Sequence, residues 1–348
     1  MLKNKKYPKI SIIILTLNEE GYLKECLKSI RKQNYPQERI EIVVVDNGSK
    51  DNSIRVAESY GAKVYVNEKG DIYQNWVIAL HKITGDFVYM VDQDIQLRGK
   101  YFFQKMTKPL LEDRRIMASF TRKYPKNDQH WVTRFISYHP AQCDPLYEFL
   151  IPQVEDSFLK KKNGYILCKF ELGKVPPFGR QFYRVEYFKK TSSWSLKRVF
   201  DNDLVVRAIK SGYSLFAYVP KAGLYHYHAK NLRHLLYKRV RNLNMHYFPN
   251  NKSTKYRWLD TGNRRGIFKL ILWIIYANLF FPAAIRGFIR FIKYKDKVML
   301  MEPIITITVT DFVLWSFVKD RRGREIVISS LKTLFQKGIV KSKGAFGS

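Results

Sequence analysis

Strand-like and helix-like segments alternate through the first hundred residues, and this alternation limits the possible folds more than any other feature. Residues 9–17 read KISIIILTL, a β-branched run typical of a buried parallel strand. Residues 19–33 then carry apolar side chains at helical spacing, and NYP at 34–36 ends that pattern. The alternation continues through IEIVVV, SIRVAESYG, AKVYVN, residues 73–83 and DFVYMV. It predicts an α/β fold with an open, mostly parallel sheet.

Polar side chains follow three of the predicted strands, at the point where each strand ends. They are Asn18 and Glu19, then Asp46, then Asp92 and Asp94. Ligands of open α/β sheets bind beyond the carboxyl ends of the strands. We therefore expect these side chains to line one crevice.

Asp92 and Asp94 form an Asp-x-Asp pair directly after the apolar segment DFVYMV. Residues two apart on an extended segment point the same way, so both carboxylates should face one point. Two adjacent carboxylates repel each other unless a cation or a shared proton lies between them. Carboxylate oxygens suit Mg²⁺ or Mn²⁺, which often bind phosphate groups as well. A helix cap or a solvated turn is the alternative interpretation of the pair.

Three blocks of the sequence together resemble the family 2 glycosyltransferases of the GT-A fold. The blocks are residues 16–53, the segment GDFVYMVDQD at 85–94, and DNDLVVRAIKSGY at 201–213. The resemblance covers roughly residues 8–245. It implies a nucleotide-diphosphosugar donor, a divalent metal ion (Mn²⁺ or Mg²⁺) and transfer with inversion at the anomeric carbon.

The resemblance also implies roles for residues that bind the donor. Asp46 matches an aspartate that contacts the base or ribose, and Asp92 should face the ribose and the donor sugar. Thr16, Asn18 and Glu19 should lie beside the nucleotide. Capping of the following helices is the alternative for Asn18 and Asp46.

By the same resemblance, Asp94 should hold the metal ion that bridges the diphosphate, with Asp92 next to it. His226 and His228 end a predicted strand downstream. Some members of the family place a metal or diphosphate ligand there, and His226 is the preferred candidate. A packed or solvent-facing histidine is the alternative interpretation.

Asp201 is the candidate catalytic base, because transfer to a hydroxyl requires a carboxylate that accepts the hydroxyl proton. The corresponding family motif usually begins Glu-Asp, whereas Phe200 occupies the glutamate position here. This departure leaves Asp203 as a second candidate. A helix cap is the alternative role for Asp201. A second departure concerns an asparagine that the family carries eight residues before the glycine of GD, where this chain has Val77; Asn75 would match only with an insertion.

The C-terminal part differs in character, and we predict a boundary between a catalytic domain, 1–245, and a basic, apolar helical region, 246–348. Apolar runs occupy residues 267–288 and 298–318, and residues 231–348 contain 23 Lys and Arg against 6 Asp and Glu. The first run is close to the ~20 residues that span a bilayer. Two membrane-associated arrangements remain open: a transmembrane hairpin, or helices lying in the interface and held by acidic headgroups. A buried helical subdomain, without membrane association, is the alternative to both.

The net charge of +32 points to anionic partners, and the three cysteines are widely spaced and odd in number, as expected for free thiols in a reducing compartment. The apolar run nearest the N-terminus, Ile10–Leu17, is too short for a secretory signal. We therefore predict an enzyme at the cytoplasmic face of the cell membrane, bound to its acidic surface. Residues 120–195 predict no firm elements.

Combined with the resemblance, these features predict a membrane-associated inverting transferase that moves a sugar to a hydroxyl of a lipid-linked or cell-surface glycan. Because DQDIQ also resembles the motif of polyprenyl-phosphate sugar synthases, a phosphate acceptor is the alternative. A basic nucleic-acid-binding protein is less favoured. The basic residues concentrate around apolar runs, so no nucleic acid is expected as a partner.

Overall fold

A computed structural model describes residues 7–68, 71–176, 181–191, 195–197, 201–250 and 263–335, without the side chains of residues 189, 201, 202, 246 and 250. The chain divides into two compact units, Met1–Leu235 and Leu236–Ser348. We call them the N-terminal unit and the C-terminal unit and describe each by itself.

A nine-stranded sheet forms the centre of the N-terminal unit, with strand order β3-β2-β1-β4-β9-β6-β10-β8-β7. Its first four positions are parallel, and β9 then pairs antiparallel with both β4 and β6. A separate pair joins β5 to β11. The strands are β1 (Ile10–Thr16), β2 (Ile40–Asp46), β3 (Lys63–Val66), β4 (Phe87–Asp92), β5 (Ile95–Leu97), β6 (Ala118–Phe120), β7 (Phe158–Lys161), β8 (Ile166–Lys169), β9 (Phe182–Arg184), β10 (Leu215–Tyr218) and β11 (Leu224–His226).

Helices connect the strands of the parallel half as the alternation predicted, so the expected α/β class is confirmed. Both β1 and β2 are buried along their whole length, which explains why their apolar runs are continuous rather than alternating. The helices of this unit are α1 (Glu20–Arg31), α2 (Ser53–Ser59), α3 (Ile72–Lys82), α4 (Phe102–Glu112), α5 (Trp131–Ile136), α6 (Pro145–Leu150), α7 (Val185–Lys190) and α8 (Asp201–Lys210); α9 (Leu232–Asn242) follows.

The register of the parallel strands determines which polar residues meet at the edge of the sheet. Thr16 pairs with Asp46 across β1 and β2, and Leu15 pairs with Asp92 across β1 and β4. All these positions are at the carboxyl ends of their strands. The predicted crevice therefore lies where Thr16, Asp46 and Asp92 come together.

A buried carboxylate fastens the opposite end of the same strands. Glu41 accepts hydrogen bonds from Ser11 Oγ at 2.6 Å, from the Thr84 amide at 2.8 Å and from Lys63 Nζ at 3.0 Å. Burial by itself would raise the pKa of Glu41, but these hydrogen bonds together outweigh it and lower the pKa. Next to this cluster, a Cβ on Gly85 would lie 2.7 Å from the Ser11 amide nitrogen, so only glycine fits.

All the described secondary-structure elements of the C-terminal unit are helices. After a π-helical turn at Leu243–Tyr247 come α10 (Phe248–Asn250), α11 (Arg264–Asn278), α12 (Phe280–Tyr294), α13 (Glu302–Lys319) and α14 (Arg321–Phe335). Among the described residues, one segment, Lys297–Lys319, is long and apolar enough to cross a membrane. The apolar run predicted at 267–288 lies in two helices, α11 and α12, which are bent by 80° at their junction. If that bent pair is counted as one span, two segments of the described chain could cross a membrane.

Candidate active site

Three side chains with oxygen or nitrogen ligands cluster at the rim of the sheet. Asp92 ends β4, Asp94 follows in the turn to β5, and His226 ends β11 opposite Ile95. One ligand atom from each lies within 4.8 Å of the other two, and His226 Nε2 is 3.2 Å from Asp94 Oδ1. All three side chains are half-buried. Two carboxylates and an imidazole at this separation fit a divalent ion such as Mn²⁺ or Mg²⁺.

Buried polar groups hold the backbone of this cluster in place. The amide of Tyr227 donates to the carbonyl of Asp94 at 3.0 Å, which ties the end of β11 to the acidic turn. The carbonyl of His226 accepts two further hydrogen bonds, from Gln129 Nε2 at 3.1 Å and from Gln142 Nε2 at 2.9 Å. Both glutamines are buried and belong to the region 120–195, for which the sequence predicted no elements. We call this pair the glutamine clamp.

A free thiol lies behind the acidic turn. Cys26 Sγ is 3.8 Å from the carbonyl oxygen of Asp92. Burial raises the pKa of this thiol, and the neighbouring Asp94 and Asp92 raise it further. Cys26 is buried and packs on the inner face of α1.

Thr16 and Asp46 present unused polar atoms at neighbouring positions of β1 and β2. Asp46 Oδ2 accepts from the amides of Gly48 at 2.9 Å and Ser49 at 2.7 Å and so shapes the following turn. Asp46 Oδ1 and Thr16 Oγ1 are buried and have no hydrogen-bond partner among the described residues. Buried polar atoms are rarely left without a partner, so this pair indicates where a ligand supplies the missing hydrogen bonds.

Asn18 and Glu19 lie in the loop between β1 and α1. Asn18 adopts φ 48°, and its Oδ1 accepts from the Lys50 amide at 2.8 Å, so it joins this loop to the one after β2 rather than capping α1. Glu19 occupies the position before α1 without a capping hydrogen bond of its own side chain. Its Oε1 instead lies 3.0 Å from Lys230 Nζ.

Asn75, which the motif spacing left out, lies at the same edge of the sheet. It is buried, donates to Asn47 Oδ1 at 2.8 Å and accepts from Asn67 Nδ2 at 2.6 Å. The chain of three amides connects α3 with the ends of β2 and β3. In the sequence, Asn75 shares the helical face of the apolar residues Trp76, Ala79 and Leu80, and a polar residue on such a face is the signal that would have identified it.

The two candidate bases both lie at the start of α8. Asp201 is its first residue, and its side chain is outside the described part of the structure. Asp203 is half-buried, with its Oδ1 shielded from solvent. Phe200 also lies outside the described residues, so the choice between the two carboxylates remains open.

Two tyrosines and two lysines next to the acidic turn were not identified from the sequence. The rings of Tyr22 and Tyr227 are 5.6 Å apart, and Lys126 Nζ lies 2.9 Å from the Tyr227 hydroxyl. Lys230 Nζ lies 5.9 Å from the centroid of the Tyr22 ring. Burial raises the pKa of Tyr22, Lys230 opposes that change, and Glu19 and Asp94 add to it. These aromatic and cationic groups border the carboxylates and extend the candidate site.

Comparison with known proteins identifies the family. A sequence model of glycosyl transferase family 2 matches residues 11–189. TarS of Staphylococcus aureus strain Mu50, a poly(ribitol-phosphate) β-N-acetylglucosaminyltransferase, is 35% identical over 92 residues, 25% of this chain and 16% of TarS. The chondroitin synthase of Pasteurella multocida is 29% identical over 195 residues, 54% of this chain and 18% of the synthase. The chain thus spans less than a fifth of the length of either relative.

Solved structures with a similar arrangement include residues 1–349 of S. aureus TarS, with a TM-score of 0.48 at 16% identity, covering 94% of this chain and 89% of that one. A mannosyltransferase from Pyrobaculum calidifontis in complex with GDP-Man and Mn²⁺ has a TM-score of 0.48 at 15% identity and covers 96% of this chain and 89% of that one. The family match includes β1, the Asp-x-Asp turn and β9, and extends over more than half of the 348 residues. The chain belongs to glycosyl transferase family 2.

Proposed function

We propose that this protein is a metal-dependent, inverting glycosyltransferase that uses a nucleotide-diphosphate sugar. The observation that carries the proposal is the cluster of Asp92, Asp94 and His226 at the carboxyl ends of the strands. TarS is named as a β-N-acetylglucosaminyltransferase, and this name supports the same reaction class here.

Different residues of the crevice would contact different parts of the donor. Thr16 and Asp46 supply the buried polar atoms that lack partners among the described residues, so they would bind the nucleoside. Asn18 and Glu19 shape the loop beside it, and Asp92 would face the ribose and donor sugar. Asp94 and His226, with Asp92, would hold the divalent ion. Such an ion, when bound, neutralises the charge that develops on a leaving diphosphate.

The acceptor hydroxyl needs a base on the face of the sugar opposite the leaving group. A carboxylate at the start of α8, Asp201 or Asp203, would accept the hydroxyl proton as the new bond forms. Inversion follows, because the acceptor attacks in a single displacement. The acceptor in this proposal is a hydroxyl of a lipid-linked or cell-surface glycan.

The decisive test of the metal site is Asp94→Asn. We expect manganese-dependent binding of nucleotide diphosphates, measured by titration calorimetry, to weaken by roughly 10- to 100-fold, because a ligand is lost from the set. Glu25→Gln is the control, because Glu25 is an exposed acid on α1 that pairs with Lys28. Equal donor affinity in the wild type and in Asp94→Asn would contradict the proposed site.

The alternative acceptor, a polyprenyl phosphate, is favoured by the resemblance of DQDIQ at 92–96. A phosphate oxygen is already deprotonated and needs no general base. If Asp201→Asn and Asp203→Asn each leave transfer unchanged, the phosphate acceptor is favoured. If one of the two variants loses about 10²- to 10⁴-fold in turnover, that residue is the base and the acceptor is a hydroxyl.

Association with the cytoplasmic face of the membrane completes the proposal. The C-terminal unit exposes many large apolar side chains, among them Phe268, Phe281, Ile285 and Trp315. Large apolar side chains exposed in this number are typical of membrane or protein interaction sites. The basic composition of residues 231–348 suits a membrane with acidic headgroups.

A further inference from the structure

The helix α12 has two sharply different faces. Five large apolar side chains, each more than half exposed, recur at helical spacing along one side: Phe281, Ile285, Phe288, Ile289 and Ile292. The opposite side carries Ala283 and Gly287, which are buried. A Cβ on Gly287 would lie 2.6 Å from the carbonyl oxygen of Met299, so this side packs closely against residues 297–301. The apolar side has no partner in the described part of this unit.

The charges of α12 are turned away from its apolar face. Arg286 and Arg290 lie on the packed side, where Arg286 Nη1 is 2.6 Å from Glu302 Oε1 and Arg290 Nη1 is 3.1 Å from Glu302 Oε2. Glu302 is fully buried. A single carboxylate therefore draws both arginines inward, and the outer face of the helix is left entirely apolar.

Neither α11 nor α12 is long enough to span a membrane by itself. Each has 15 residues, about 22 Å of helix, against a hydrocarbon core of about 30 Å. Their 80° bend prevents them from forming one straight span. Exposed apolar residues also lie on one side of α11, namely Phe268, Ile271, Leu272 and Ile275.

The longer segment, Lys297–Lys319, is long enough to cross a membrane, but much of it is covered by the rest of the protein. In its most apolar window, 44% is buried within the protein. Asp311, near the middle of α13, is exposed. An aspartate at the centre of a bilayer is strongly unfavourable. A position at the membrane surface leaves Asp311 within reach of water.

We propose that the C-terminal unit is monotopic, with α11 and α12 lying flat in the headgroup region of an anionic bilayer and their apolar faces in the acyl boundary. This inference rests on the proposed membrane association and specifies its form. Exposed cations at the helix ends lie where acidic headgroups would be: Arg264 and Arg265 in the first turn of α11, and Lys293, Lys295 and Lys297 around the end of α12.

Vesicle binding tests the apolar face. The full-length protein is sedimented with vesicles of phosphatidylcholine, with and without phosphatidylglycerol. The double variant Phe288→Glu, Ile289→Glu should partition about 100-fold more weakly, because two exposed apolar side chains that would enter the acyl boundary are replaced by charges. Leu159→Glu, at a comparably exposed residue of β7, should bind like the wild type. Unchanged partition of the double variant would overturn the inference.

Single cysteines test whether the chain crosses the bilayer. Lys297→Cys and Arg321→Cys flank the only described segment long enough to span, and the three native cysteines are buried. In sealed inverted membrane vesicles an impermeant maleimide should label both positions, and in intact cells neither. Labelling of one position on each side would show a span and overturn the monotopic arrangement alone.

The failures of the two proposals are distinguishable. If the wild type does not bind vesicles of either composition, both the monotopic arrangement and the membrane association fail. Manganese-dependent donor binding, tested with Asp94→Asn, does not depend on either result. The transferase chemistry is therefore tested separately from the membrane attachment.

Discussion

At the scale of single residues, the candidate site combines side chains that the sequence pointed to with backbone supports that it did not. Asp92, Asp94 and His226 were candidates from the resemblance, and the structure places their ligand atoms within 4.8 Å of one another. The glutamine clamp was not foreseen, because Gln129 and Gln142 lie 97 and 84 positions before His226. Hydrogen bonds between such distant positions produce no periodic pattern in the sequence.

We propose that the clamp takes the place of a support that metal-bound histidines usually have. A ligand histidine normally donates its second ring nitrogen to a nearby acceptor, which orients the ring. His226 Nδ1 is buried and has no hydrogen-bond partner among the described residues. The two glutamines instead fix the carbonyl of the same residue, so they position the imidazole through the backbone.

We therefore expect Gln142→Ala to weaken Mn²⁺ binding by roughly tenfold, because the His226 carbonyl loses one of its two donors. The affinity is measured by electron paramagnetic resonance of free Mn²⁺. Gln153→Ala is the control, because Gln153 Nε2 donates to the carbonyls of Glu148 and Ile151. This variant should retain the wild-type affinity for Mn²⁺. If both variants bind Mn²⁺ like the wild type, the clamp has no positioning role.

At the scale of secondary-structure elements, β2 carries a residue of the candidate site at its carboxyl end and a structural carboxylate near its start. Its last residue, Asp46, faces the crevice, and Glu41, near its start, joins β1, β3 and the loop before β4. The lowered pKa of Glu41 means that its carboxylate is stabilised on folding. Stability from this group is present above the pKa of the unfolded chain and is lost as the pH falls through the lower, folded value.

Glu41→Gln should accordingly lower the free energy of unfolding by about 1–3 kcal/mol at neutral pH, because an amide cannot replace a carboxylate with several donors. The difference from the wild type should shrink once the pH falls below about 4, where the unfolded wild-type carboxyl binds its proton. Urea denaturation at several pH values measures this. Glu58→Gln, at an exposed position of α2, is the control. A difference that does not depend on pH would refute the ionic explanation.

At the scale of the whole molecule, two units with different surfaces share one chain. Along the chain, the boundary between the two units falls between Leu235 and Leu236, inside α9. The predicted functional boundary at residue 245 lies beyond the end of that helix. A division at 245 therefore keeps α9 intact. The assignment of catalysis to one side of it and membrane binding to the other remains a prediction.

A chain of residues 1–245 tests that assignment. We expect it to retain manganese-dependent binding of nucleotide diphosphates, because every described residue of the candidate site lies before residue 245. It should no longer sediment with anionic vesicles, because α11 and α12 are absent. Calorimetry and vesicle sedimentation measure the two properties. Loss of donor binding in a folded fragment, or undiminished vesicle binding, would contradict the division.

The sequence by itself determined the class of fold, the parallel half of the sheet and the candidate carboxylates, because buried parallel strands are continuous apolar runs and the crevice residues follow them directly. Only the tertiary structure located β9 between β4 and β6, brought His226 to the acidic turn and supplied the glutamine clamp. β9 has only three residues, too few to show a periodicity, and its position depends on pairing with β4 and β6, which are distant in the sequence. The direction of the arginines of α12 was likewise decided by the buried Glu302, a contact that the spacing of apolar residues does not encode.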